Sequence, residues 1–239
     1  MSTYVLVHGS WHGAWCWYKV IAALERAGHR VLAPDLPSLG IDKTPVADVS
    51  LRTWTDSVGR TVSAQTEPVV LVGHSRGGII ISEVAEAMPE KIARLVYVCA
   101  FLLRDGESLL QLTRADPTSV LLDNLVPSED QKSATVRADV VKDAFYAECS
   151  DEDVALARSL LAPEAIAPLA TPLRLTAERF GRVPRVYIEC LRDRAVPPAL
   201  QKRMYSAQPC ERLITIDTDH SPFFSAPDEL VRHLLALAG

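Results

Sequence analysis

The sequence lacks the signals that mark several common classes of protein. Its 239 residues contain no apolar run approaching the roughly 20 residues that a membrane-spanning helix needs. Its charge has no basic excess, since 25 Lys and Arg stand against 30 Asp and Glu. The amino terminus has neither the basic start nor the small-residue cleavage site of a signal peptide. We therefore expect no membrane and no nucleic acid among the partners of this chain.

The five cysteines form no CxxC pair and are widely spaced, so neither a zinc ribbon nor a redox motif is indicated. Cys99 and Cys190 lie in apolar runs, which is typical of reduced core residues. A set of reduced cysteines favours a reducing compartment, and we expect a cytoplasmic protein without a bound metal.

What is present is a regular alternation of short apolar runs with helical patterns. Nearly continuous Val, Ile and Leu is typical of parallel strands buried on both faces. With helices between them, such strands predict a mostly parallel α/β sheet covered by helices on both faces. The predicted strands are Tyr4–Val7, Arg30–Ala33, Val69–Val72, Leu95–Cys99, Arg185–Cys190 and Arg212–Ile216.

Residues 102–182 break this alternation because strand signals disappear and only helical patterns remain. An insertion of this length inside a compact domain usually serves as a functional lid. The sequence therefore predicts a core of residues 1–101 and 183–239, with residues 102–182 as a small helical cap.

The candidate nucleophile is Ser75, in the pentapeptide Gly-His-Ser-Arg-Gly at residues 73–77. The motif follows an apolar strand and precedes a helical pattern, which is the context that a nucleophile elbow requires. There the serine lies at a helix N-terminus, where backbone N–H groups can stabilise negative charge. The alternative interpretation is a glycine-rich turn with an incidental serine.

A serine hydroxyl needs a base near neutral pH, and His220 is the candidate among six histidines. It follows the last predicted strand, after the nucleophile in chain order, as in α/β-hydrolases. The other histidines have structural explanations: His8 and His12 flank the first loop and are expected to shape it. His74 adjoins the serine and is expected to point elsewhere.

The candidate acid is Asp193, because it follows the predicted strand Arg185–Cys190 at the edge where catalytic groups collect. Its expected task is to fix the imidazole tautomer and stabilise the imidazolium. A solvated aspartate paired with a neighbouring arginine is the alternative. Asp217 and Asp219 compete for the role, but both are so close to His220 in sequence that the required reach is awkward.

An oxyanion needs preorganised donors, and two backbone N–H groups are candidates. One belongs to Arg76, directly after the nucleophile, and the other to Ser10 in the loop after the first strand. The alternative for that loop is an ordinary strand-to-helix turn. Candidates for the substrate pocket are four large apolar residues: Trp11, Phe101, Leu102 and Phe180. The alternative is a core role for each of them, and for Trp11 a surface role as well.

Three stretches carry a family resemblance: Val5–Trp15, Leu71–Gly78 and Cys149–Ala157. They resemble the plant methylesterase and hydroxynitrile lyase family, and its bacterial relatives that hydrolyse pyrethroid and other carboxylic esters. The likeness runs nearly end to end and is weakest between residues 102 and 146. It implies the α/β-hydrolase fold, a cap over an apolar pocket, esters of small and often aromatic acids as substrates, and no cofactor. Homodimers are frequent in such families.

Two activities of that family can be separated by sequence. Its lyases carry a lysine after the catalytic histidine, whereas this chain has Ser221 there. Gly9 and His74 also stand in the esterase form. The resemblance therefore favours a serine carboxylesterase over a lyase, and an intact triad disfavours a non-catalytic ligand-binding homologue. Arg76 departs from the small or apolar residue of the plant enzymes, and we expect its side chain to pair with an acidic neighbour.

Overall fold

The computed structural model describes residues 1–116 and 118–238. Its strands are β1 (Thr3–Val7), β2 (Arg30–Leu32), β3 (Val69–His74), β4 (Ile92–Val98), β5 (Leu125–Pro127), β6 (Ser133–Val136), β7 (Glu164–Ala165), β8 (Arg185–Cys190) and β9 (Arg212–Ile216). Its α-helices are α1 (Tyr18–Arg26), α2 (Leu51–Ser63), α3 (Gly77–Ala87), α4 (Leu109–Arg114), α5 (Val141–Phe145), α6 (Asp151–Leu160), α7 (Ala167–Ala170), α8 (Pro198–Ala207), α9 (Pro222–Ser225) and α10 (Pro227–Leu235).

The central sheet has six strands in the order β2-β1-β3-β4-β8-β9, and each neighbouring pair is parallel. Each of the six predicted strands is therefore present, with bounds shifted by at most three residues. Successive side chains of a strand point to opposite faces, so the apolar runs supply two cores. Val5 packs on the face covered by α2 and α3, whereas Tyr4 packs on the face covered by α1 and α10. The predicted sheet with helices on both faces is confirmed.

Helix α2 begins after Ser50, whose side chain accepts a hydrogen bond from one of the first N–H groups of the helix. The Ser50 hydroxyl accepts from the Thr53 N–H at 3.1 Å, and the Thr53 hydroxyl accepts from the Ser50 N–H at 2.9 Å. This reciprocal capping box makes Ser50 the N-cap of α2.

The segment of residues 102–182 is not purely helical, and the sequence-based prediction was wrong in this respect. Besides α4 to α7 it contains an antiparallel three-stranded sheet in the order β5-β6-β7. These strands are only two to four residues long. Strands so short cannot display the alternating pattern by which a strand is recognised in sequence.

Parallel strands bring their carboxyl ends to one edge of the sheet. The loops after β1, β3, β8 and β9 meet there, and they carry the residues around Ser10, Ser75, Asp193 and His220. Across residues 1–116 and 118–238, no helix has both the length and the apolar character that crossing a membrane demands.

Candidate active site

Ser75 lies in a sharp turn between β3 and α3, in the strand–turn–helix setting that its motif predicts. Its φ of +52° falls in the left-handed region that serine rarely adopts. The turn is held by its neighbours, since the Ser75 N–H donates to the Val98 carbonyl at 3.2 Å and its carbonyl accepts from Phe101 N–H at 3.0 Å. These hydrogen bonds to Val98 and Phe101 hold Ser75 in its strained backbone conformation, as is common at functional sites.

His220 and Asp193 form a buried pair on the loops after β9 and β8. The imidazole Nδ1 lies 2.7 Å from Asp193 Oδ2. The other carboxylate oxygen accepts from the N–H groups of Ala195 and Val196, both at 2.8 Å. Because an ionised carboxylate only accepts, Nδ1 carries the proton and Nε2 of His220 is left with a free lone pair.

The carbonyl of His220 is tied to the residue that precedes the serine. His74 Nε2 donates to this carbonyl at 2.8 Å, and the two imidazole rings lie 4.6 Å apart. The Cys99 thiol donates to the same carbonyl at 3.4 Å. His74 thus points away from the nucleophile, as expected, but its contact with the His220 loop was not foreseen. Burial holds the pKa of His74 well below its usual value, so the ring is neutral.

The two competing aspartates have other partners. Asp217 is exposed and forms a two-pronged ion pair with Arg192, with contacts of 2.8 and 2.7 Å. Asp219 is buried and accepts from the Ser221 N–H at 3.0 Å and from the Glu148 N–H at 2.8 Å. The geometry therefore favours Asp193 as the partner of the imidazole.

The loop after β1 passes directly against Ser75. A Cβ added at Gly9 would lie 2.8 Å from His74 Nδ1 and 2.9 Å from Ser75 Cβ, so only glycine permits this approach. Within the described residues, no carbonyl or side chain takes up the N–H of Ser10 or of Arg76. Both predicted oxyanion donors are thus unused by the protein itself.

Two histidines shape this loop by hydrogen bonds to its carbonyl groups, as predicted. His12 Nδ1 donates to the Ser10 carbonyl at 2.6 Å, and its Nε2 accepts from the Tyr146 hydroxyl at 2.6 Å. His8 Nδ1 donates to the Gly9 carbonyl at 2.9 Å. Burial lowers the pKa of His12 to about 3 and that of His8 well below its usual value, so both rings are neutral supports.

A cavity of about 440 Å³ opens on Ser75 and Ser10. It is lined mostly by apolar side chains, among them Trp11, Phe101, Leu109, Leu121, Leu169 and Val196. Two of the four predicted pocket residues are therefore at the cavity. Several others come from the segment of residues 102–182, and sequence offered no signal for them because their placement depends on how that segment packs.

The other two predicted pocket residues are corrected by the structure. Leu102 does not line the cavity, because its side chain is buried in the core on the sheet face covered by α2 and α3. Phe180 lines a different cavity and packs against Arg185, whose guanidinium carbon lies 4.2 Å from the ring centroid.

One group within the described residues has the spacing of a metal site. Atoms of His74, Cys99 and His220 lie within 4.8 Å of one another, and all three residues are buried. His74 Nε2 and His220 Nδ1 are already engaged in hydrogen bonds. We therefore interpret the group as part of the hydrogen-bonded framework around Ser75.

The side chain of Arg76 meets the expectation of an acidic partner. It forms an ion pair with Glu164 of β7, with Nε 2.8 Å from Oε1, and both side chains are almost completely buried. The guanidinium carbon also lies 4.1 Å from the ring centroid of Trp54.

Comparison with known proteins identifies the family to which this fold belongs. The profile of the "Alpha/beta hydrolase family" matches residues 4–233, and the chain belongs to that family. Methylesterase 7 of Arabidopsis thaliana is 35% identical over 248 residues, covering 98% of this chain and 95% of the relative. Some plant relatives are longer, and the chain spans 63% of the length of putative methylesterase 11, a chloroplastic protein of Arabidopsis thaliana.

Two solved structures agree with this assignment. Polyneuridine aldehyde esterase superposes with a TM-score of 0.90 at 30% identity, covering 100% of both chains. A pyrethroid hydrolase from Sphingobium faniae JZ-2 gives a TM-score of 0.88 at 27% identity, covering 99% of this chain and 97% of the other. Together with the methylesterases, these proteins support a carboxylic ester hydrolase.

Proposed function

We propose that this chain is a serine carboxylesterase in which Ser75, His220 and Asp193 form the catalytic triad. The observation that carries the proposal is the buried contact of 2.7 Å between His220 Nδ1 and Asp193 Oδ2, on a loop bonded to the strained elbow of Ser75. That contact fixes the imidazole tautomer that a general base requires.

The proposed reaction has two halves. His220 Nε2 takes the proton of the Ser75 hydroxyl, which attacks the ester carbonyl, and the N–H groups of Ser10 and Arg76 hold the oxyanion. The intermediate collapses, the alcohol leaves with the proton from the imidazole, and an acyl-enzyme remains. Water then attacks with the same base, and the acid is released.

The cavity supports the substrate class. Its volume of about 440 Å³ suits a small organic molecule, and its apolar lining favours a hydrophobic or aromatic acyl or alcohol group. We propose that residues 102–182 act as a cap, since they supply Leu109, Leu121 and Leu169 to the lining. Glu164 also lines the cavity, and its ion pair with Arg76 offsets its charge.

The test is a panel of methyl, aryl and long-chain esters assayed with wild type, Ser75→Ala and His220→Ala. We expect turnover of hydrophobic esters by wild type, and a loss of about 10³-fold or more in either variant. A cyanohydrin in the same panel tests the lyase reaction, for which Ser221 lacks the charge to stabilise departing cyanide. Turnover of esters that persists in Ser75→Ala contradicts the proposal.

A further inference from the structure

The ion pair between Arg76 and Glu164 is buried, and burial costs free energy because both charged groups lose their hydration. The Arg76 side chain is 0% exposed and that of Glu164 is 1% exposed. Burial lowers the pKa of Arg76 and raises that of Glu164, while the opposite charge of each partner opposes the shift of the other. Stability alone is a weak explanation, because a buried pair can often be replaced by apolar residues without loss.

The pair is in contact with both sides of the proposed oxyanion hole. Arg76 Nη2 donates to the Gly9 carbonyl at 2.9 Å, and Glu164 Oε2 accepts from the Trp11 N–H at 3.0 Å. These two contacts flank Ser10, whose N–H is one proposed donor. The other proposed donor is the N–H of Arg76 itself. One ion pair thus holds the backbone around both proposed oxyanion donors, the N–H of Ser10 and the N–H of Arg76.

The same contacts link the hole to the segment of residues 102–182. Glu164 belongs to β7, which pairs with β6 through Ala134. The Ala134 carbonyl accepts from the Trp11 indole N–H at 2.8 Å, and the Trp11 carbonyl accepts from the Ala162 N–H at 2.9 Å. The loop after β1 is therefore fastened to the proposed cap through a backbone donor, a backbone acceptor and a side chain.

We propose that Arg76 and Glu164 are positioning residues, whose ion pair sets the two oxyanion donors and couples their placement to the cap. The inference rests on the proposed acyl-enzyme mechanism. Neither side chain touches the reacting atoms in this account. They act through the backbone of the loop after β1, so their removal weakens transition-state stabilisation more than substrate binding.

Three variants test the proposal. Glu164→Gln removes the negative charge but keeps the volume and an oxygen acceptor for the Trp11 N–H. Arg76→Met removes the guanidinium and keeps the backbone N–H. The double variant Arg76→Met/Glu164→Met leaves no unpaired buried charge, so it keeps the test available if a single variant folds poorly. Folded protein of each is assayed with p-nitrophenyl butyrate, and its melting temperature is measured.

We expect kcat to fall about fivefold or more in all three variants while KM stays within about threefold of wild type. The inhibition constant of a trifluoromethyl ketone, whose adduct carries an oxyanion, rises in parallel. We expect the melting temperature to fall in the single variants and to recover in the double variant. A smaller fall in kcat, or a double variant in which kcat recovers together with the melting temperature, overturns the proposal.

Two controls separate this inference from the mechanism on which it rests. Arg232→Met breaks the exposed ion pair with Glu229 on α10 and should leave kcat unchanged. Ser75→Ala reports on the mechanism alone. If Ser75→Ala keeps its activity, the acyl-enzyme mechanism fails; if it is inactive while the three ion-pair variants match wild type, only the positioning role fails.

Discussion

At the scale of single residues, the carboxylate of Asp193 is fixed by hydrogen bonds to the backbone as well as to the imidazole of His220. One oxygen accepts hydrogen bonds from two backbone N–H groups, and the other accepts a hydrogen bond from the imidazole of His220. One oxygen therefore anchors the carboxylate and the other faces the proposed base. Asp219, although nearer to His220 in sequence, makes neither contact, because its carboxylate accepts from the Ser221 and Glu148 N–H groups.

The substitution Asp193→Asn tests this role. The amide can present its N–H₂ group to Nδ1 and so favour the wrong imidazole tautomer, and we expect kcat for ester hydrolysis to fall about 10³- to 10⁴-fold. Asp217→Asn is the matched control, because Asp217 is exposed and paired with Arg192. Equal kcat values for the two variants would show that Asp193 does not orient the base.

Trp11 separates two cavities, and its substitution should alter chain-length preference. It lines both the cavity at Ser75 and a second, apolar cavity of about 230 Å³. We expect Trp11→Leu to join the two, so that the ratio of kcat/KM for p-nitrophenyl octanoate over p-nitrophenyl acetate rises about tenfold. An unchanged ratio would mean that the second cavity is not reached from the first.

At the scale of secondary-structure elements, β3, its turn and α3 were predictable because each has a local signal. Val69–Val72 is apolar throughout, and the motif at residues 73–77 has its required glycines. The strands β5 to β7 gave no such signal, since each is only two to four residues long and β7 pairs with a strand far from it in sequence. Glu164 illustrates the consequence: sequence predicted an acidic partner for Arg76, but only the fold identifies which carboxylate it is.

The packing of α3 against the loop that follows β4 gives a prediction about Gly78. A Cβ there would lie 2.3 Å from the Phe101 carbonyl oxygen and 2.9 Å from its nitrogen, both backbone atoms. We expect Gly78→Ala to destabilise the fold by roughly 2 to 3 kcal/mol, because α3 must move away from the backbone of Phe101.

The measurement for Gly78→Ala is urea unfolding at neutral pH. Gly59→Ala within α2 is the control, since its Cβ would meet only the flexible end of Met88 at 3.3 Å. We expect that variant to be neutral or slightly stabilising. Equal unfolding free energies for both variants would show that the turn can adapt.

At the scale of the whole molecule, the fold buries several neutral histidines around one site. His8, His12 and His74 are buried and have lowered pKa values, that of His12 being about 3. All five cysteines are free thiols. A cytoplasmic location and a homodimer remain predictions.

The buried histidines predict sensitivity to mild acid. Below about pH 6.5 the unfolded chain binds protons at these positions, whereas the folded chain does not until a much lower pH, so stability is complete above pH 6.5 and falls with decreasing pH. His12 alone contributes a loss of roughly 2 kcal/mol at pH 5.

The check on acid sensitivity is the urea midpoint at pH 7 and at pH 5. Most carboxylates titrate below this window, and the raised pKa values of Glu164 and Glu83 act in the opposite direction, so a lower midpoint at pH 5 reports the histidines. We expect the midpoint to be lower at pH 5. Identical midpoints would show that the rings are charged in the folded protein or accessible to protons.

We propose that Ser75 carries the acyl group during turnover, and rapid-quench mass spectrometry detects that group. Wild type mixed with p-nitrophenyl acetate, quenched in acid and digested, should yield one acetyl group on the peptide that contains Ser75, and Ser75→Ala should yield none. An acetyl group mapped to another residue, or ester turnover by wild type without a covalent species, would contradict the account.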